Sequence, residues 1–110
     1  MGLAKTEMFT DLQNEIALFA KVFGHPARVA IVQYLLTQSA CVCGDIVDEL
    51  PLSQSTVSQH LKALKKVGLI QGTVSGPKVC YCINPVVWDE FSSMITPIFN
   101  EVETKLNCCQ

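Results

Sequence analysis

Apolar residues fall at helical steps in most of this chain and alternate in one short part of it. Met8, Leu12, Ile16, Phe19 and Phe23 form a stripe at steps of three and four, and Gly24 closes it. His25-Pro26 opens a second helix, with Pro26 in its first turn and Val29, Val32, Leu35 and Leu36 facing inward. Asp45 to Leu50 predicts a short helix with Ile46, Val47 and Leu50 inward, stopped by Pro51. From Pro51 to Ile70, Val57, Leu61 and Leu64 keep one helix face, Ser53 is placed to cap the start and Gly68 to end it. The period then changes. Leu69 to Val74 and Val79 to Ile83 predict strands, joined by the turn Ser75-Gly76-Pro77-Lys78. Asn84 caps a last helix that begins at Pro85, and Trp88, Phe91, Ile95, Ile98, Val102 and Leu106 line it; Pro97 should kink it or leave one hydrogen bond open.

Two helices joined by a tight connection and followed by a hairpin define a winged helix-turn-helix. The expected class is mainly α with a small β-hairpin, in the order α-α-(short β)-α-α-β-β-α. The short strand is Cys41-Val42-Cys43, which in a winged helix pairs with the far strand of the wing and would lie beside Cys80-Tyr81-Cys82. Alternation puts Cys80 and Cys82 on one face of that strand, and Val79, Tyr81 and Ile83 on the other, taken as the core face. The length allows one domain over residues 1–110. So small an interior cannot bury both terminal stripes, which predicts a homodimer through helices at about 5–23 and 85–106.

The net charge of −2 argues against a nucleic-acid partner until its distribution is considered. Between Pro51 and Trp88 lie Lys62, Lys65, Lys66 and Lys78 and no carboxylate, and phosphate attraction acts locally. On the second helix of the helix-turn-helix, the short hydrogen-bonding residues Gln54, Ser55, Thr56, Ser58 and Gln59 suit base edges in a major groove. Lys62 and Lys65 behind them, Lys78 on the wing, and His60 complete the predicted DNA-binding set. The expected partner is double-stranded operator DNA. Without an apolar run long enough for a membrane or a recognisable export signal, the expected location is the cytoplasm.

Ser53-Gln54-Ser55-Thr56-Val57-Ser58-Gln59-His60-Leu61-Lys62-Ala63-Leu64, followed by Gly68-Leu69-Ile70 and preceded by His25-Pro26-Ala27-Arg28, resembles the ArsR/SmtB family of bacterial winged-helix repressors. The resemblance covers most of the chain. It implies a dimeric repressor that binds a near-palindromic operator and is released by an inducer. Arsenic-responsive members carry Cys-Val-Cys at the start of the first helix of the helix-turn-helix, with a third cysteine one turn on. Cys41 and Cys43 match, whereas Ile46 stands where the third thiol would be. The resemblance therefore leaves the third sulfur to Cys80, Cys82, Cys108 or Cys109, or requires an arsenical that already carries a substituent. Cys108-Cys109 loosely resembles the C-terminal pair of other arsenic-sensing members. Zinc- and nickel-sensing members use histidines and carboxylates on the last helix, which here has Asp89, Glu90, Glu101 and Glu103 but no histidine.

Six cysteines are many for a cytoplasmic chain and point to soft-metal or redox chemistry. No cofactor is required. The implied inducer is As(III) or another thiophilic ion on Cys41 and Cys43, with disulfide-based redox sensing, a four-cysteine zinc site and inert core thiols as the other readings. Arg28 reads as structural and His25 as a helix boundary. Catalysis is not expected, because Gly72 to Lys78 misses the spacing of a phosphate loop and no histidine is placed beside a nucleophile. A winged helix serving as a protein-interaction module is the remaining rival.

Overall fold

The computed structural model describes residues 8–44 and 46–106. Asp45, the side chain of Val47, and the tail thiols Cys108 and Cys109 lie outside them.

Helix α1 spans Asp11–Phe23, α2 Pro26–Leu36, α3 Gln54–Lys66 and α4 Pro85–Leu106; strand β1 is Val42–Cys43, β2 Ile70–Ser75 and β3 Lys78–Ile83. A 3-10 helix, Ile46–Glu49, stands where the first helix of the helix-turn-helix was expected to be α. The segment is too short before Pro51 to close successive α turns, yet it still buries Ile46. The fold is the predicted winged helix-turn-helix. Helix α1 starts later than expected, because Thr10 and Gln13 form a capping box that fixes the first turn at Asp11. Met8 accordingly precedes the helix and is exposed. In α2 the buried face is Ile31, Val32 and Leu35, and Leu36 points to solvent. Pro97 sits inside α4, which continues past it without a break.

The core gathers Phe19 of α1, Ile31, Val32 and Leu35 of α2, Val57, Leu61 and Leu64 of α3, Leu69 and Ile70 at the root of the wing, and Phe91 of α4. Phe19 stacks on Phe91 with ring centres 5.2 Å apart, and Trp88 meets Phe23 edge-on at the same distance. Burying such aromatic pairs contributes area and a geometric preference together. The indole N–H of Trp88 donates to the carbonyl of Leu69 at 2.9 Å, which ties α4 to the start of the wing. Beyond the core, α1 exposes Leu12 and Leu18, and the second half of α4 exposes Ile98, Phe99, Val102 and Leu106.

The three strands form an antiparallel sheet in the order β1-β3-β2. Gly76, with φ of 61°, makes the turn between β2 and β3.

Candidate nucleic-acid interface and cysteine cluster

Ser53 has extended backbone angles and its Oγ accepts from the Thr56 amide at 3.3 Å, so α3 begins where predicted. The hydroxyls of Ser55 and Thr56 gather round the same cap, 3.2 and 2.9 Å from Ser53 Oγ. Gln54, Ser55, Ser58, Gln59 and Lys62 are exposed along the outer face, and Thr56 is half-buried. Lys65 is exposed but leans over the wing: its Nζ would stand 3.2 Å from a Cβ placed on Gly72. Lys78 is exposed at the start of β3. One end of the domain thus presents amides, hydroxyls and ammonium groups on a helix and a hairpin.

His60 departs from this set. Predicted among the DNA-facing residues, it is buried, because it occupies the same inner face as Val57, Leu61 and Leu64. Its Nδ1 accepts from Arg28 Nε at 3.1 Å, and its ring lies 4.4 Å from that of His25. Burial, then the positive charge of His25 and of Arg28, hold its pKa below the usual imidazole value. Arg28 also donates through Nη1 to the Val22 carbonyl at 3.0 Å, the structural role expected of it. His25 caps α2 by accepting the Ala27 amide on Nδ1 at 3.1 Å. A polar residue on the inner stripe of a helix was the available sign of the His60 contact; its partner, 32 positions earlier, had no local signal.

The two Cys-x-Cys segments meet as predicted. Val42 pairs with Tyr81 and Cys43 with Cys80. All four thiols lie on one face of the β1–β3 pair, and they are joined as two disulfides, Cys41–Cys82 and Cys43–Cys80, with Cα separations of 4.6 and 4.0 Å. The pairing is across strands, so the nearest sulfur to Cys43 belongs to Cys80 and not to Cys41. In this form no group of three or more His, Cys, Asp or Glu among the described residues is set to hold a metal ion. The core face of β3 is shorter than predicted: Tyr81 and Ile83 pack on the core, while Val79 is 39% exposed near the turn. Cys80, expected to face outward, is 5% exposed. β3 is the central strand, flanked on both sides, and Cys43 covers Cys80.

A three-stranded wing behind a capped, polar-faced second helix defines a winged helix-turn-helix protein. Residues 25–72 match the family described as bacterial regulatory protein, arsR family. An arsenical resistance operon repressor of Staphylococcus xylosus is 31% identical over 71 residues, covering 64% of this chain and 67% of that protein. The chain belongs to the ArsR family. An uncharacterised HTH-type transcriptional regulator of Methanocaldococcus jannaschii is 44% identical over 57 residues; the match covers 51% of this chain and 63% of that regulator, less than two thirds of its length. Among solved structures, an ArsR-like transcriptional regulator from Rhodococcus sp. RHA1 superposes with a TM-score of 0.70 at 20% identity, over 90% of this chain and 92% of that one. These relatives are transcriptional regulators, not enzymes. No helix among the described residues is long and apolar enough to cross a membrane.

Proposed function

We propose that the protein is a cytoplasmic, homodimeric, sequence-specific DNA-binding repressor, and that capture of a thiophilic ion such as As(III) by its cysteines releases the DNA. Family membership and the exposed outer face of α3 support the DNA reading. In it, Gln54, Ser58 and Gln59 meet base edges, and Lys62, Lys65 and Lys78 meet phosphates. The exposed apolar residues of α1 and α4 supply the dimer contact, which would set two copies of α3 about one DNA turn apart. His60 is no longer in the DNA-facing set.

The observation that carries the inducer reading is continuity: β1, which brings Cys43 against Cys80, leads through the 3-10 helix directly into α3. A ligand that reorganises β1 therefore acts on the recognition helix through a handful of residues. The sulfur missing at Ile46 comes from across the strand, so Cys80 or Cys82 joins Cys41 and Cys43. Each disulfide must first take up two electrons and two protons from a thiol reductant. Three thiols then displace the three hydroxyls of arsenous acid as water. A coupling of about 1 to 3 kcal/mol would loosen DNA roughly five- to a hundredfold. The Staphylococcus xylosus relative, an arsenical resistance operon repressor, is consistent with that ligand class.

The disulfides favour a second reading, in which oxidation itself is the signal. Fluorescence anisotropy of the reduced protein on DNA from upstream of its own gene, titrated in parallel with arsenite, zinc and peroxide, separates them. Release by arsenite, lost in Cys41→Ser, Cys43→Ser and one of Cys80→Ser or Cys82→Ser, supports the metalloid reading. Release by peroxide alone replaces it with the redox reading, and release by neither removes both.

A further inference from the structure

Three helices meet at one side chain. Arg28, in the first turn of α2, donates through Nη1 to the Val22 carbonyl in the last turn of α1 and through Nε to Nδ1 of His60 in α3. A guanidinium has donors only and stays charged throughout the working pH range. The bond to His60 therefore exists only while Nδ1 keeps its lone pair, which fixes the imidazole as the tautomer protonated on Nε2.

We infer that Arg28 and His60 form a positioning pair for DNA binding: they seat the inner face of α3 against the end of α1, and one proton added to His60 Nδ1 undoes that seat. The inference rests on the reading of α3 as the DNA-facing helix. His60 is on the inner face of α3, about 100° round the helix from Gln59, and touches no base or phosphate in that reading; the effect travels through the angle of the helix. A proton on Nδ1 would set two donors against each other at 3.1 Å and place a cationic ring beside a guanidinium.

The charged and titratable groups that face His60 are Arg28 and His25, both from α2 and its cap. Arg28 and His25 also line an open groove of about 740 Å³ with Glu15 and Lys21 of α1 and Lys66 of α3, so solvent protons reach the cluster. The bias of His60 toward its neutral form is in keeping with this arrangement.

The test uses a fluorescent duplex enriched by the full chain from a random-sequence pool. Wild-type affinity should fall several-fold between pH 7.5 and pH 5, with the fall setting in below the ordinary imidazole range. His60→Asn, which keeps an acceptor for Arg28 but does not titrate, should bind within about threefold of wild type at pH 7.5 and show a flatter profile. His25→Asn should keep a pH-dependent profile but move it toward higher pH, because a positive neighbour of His60 is lost. Arg28→Met should weaken binding about tenfold without changing the salt slope, because no phosphate contact is lost. Long-range nitrogen–proton NMR of the wild type should show the His60 proton on Nε2. A His60→Asn profile that parallels wild type, a proton on Nδ1, or an Arg28→Met salt slope reduced by about one would overturn this inference alone. Failure to enrich any duplex would overturn the DNA reading and this inference with it.

Discussion

Cys43 stands directly opposite Cys80, their Cα atoms 4.0 Å apart, and the Cys41–Cys82 bond lies just outside theirs on the same two strands. The bridges are nested, so their effects on stability cannot simply add. By chain entropy, the first bridge closes the long loop and is worth about 4 kcal/mol, while the second then closes only a short ring and adds about 2 kcal/mol. Replacing either pair by serine should therefore cost about 2 kcal/mol and replacing both about 6 kcal/mol. Urea unfolding of the oxidised proteins reads these values; a loss on replacing both pairs equal to the sum of the two single-pair losses would contradict nesting.

Lys62 and Gln59 share the exposed face of α3 but should fail differently. Lys62→Ala should weaken binding to all duplexes alike and reduce the salt slope by about one. Gln59→Ala should change the preferred base at one position with the slope unchanged. Titrations on the preferred duplex and a scrambled one, at three salt concentrations, distinguish the two.

Acid should unfold the protein partly through His60. Its folded pKa lies below its unfolded value, so the unfolded chain binds more protons in the interval between them and stability rises with pH there. The contribution is complete above the unfolded value of about 6.5 and is lost as pH falls from there through the lowered folded value. Thermal unfolding midpoints from pH 7.5 to pH 5 should fall less steeply for His60→Asn than for wild type. Parallel curves would assign the acid sensitivity to other groups.

Gly68 follows the end of α3 with φ of 87°, and a Cβ there would come within 3.2 Å of Val87 Cγ2. Gly68→Ala combines a left-handed conformation, worth about 1 to 2 kcal/mol, with pressure on α4. Loss of about 2 kcal/mol or more in urea is expected, and Val87→Ala in the same chain should recover part of it.

Much of this was legible in the letters. The change from helical to alternating period located the wing, and Ser53, Asn84 and Pro85 marked helix starts that the structure keeps. The meeting of the two Cys-x-Cys segments followed from the winged-helix plan, but which cysteine faces which depends on register, and one residue of slip would have reversed the faces. His60 was misplaced for a different reason. A polar residue beside glutamine and lysine reads as surface until its inner position is weighed against the stripe of Val57, Leu61 and Leu64, and its bond to Arg28 is a tertiary fact. Likewise Val79 keeps the strand's alternation and still stands clear of the core, because it lies near the exposed turn between β2 and β3.

Trp88 is the single tryptophan of the chain, and its indole N–H is bound to the Leu69 carbonyl at the root of the wing, with Phe23 of α1 against its ring. Emission from this one chromophore comes from the junction of wing, first helix and last helix. Any event that shifts the wing against α4 should alter its wavelength or quenching, so the protein carries an optical gauge of that movement that needs no attached dye.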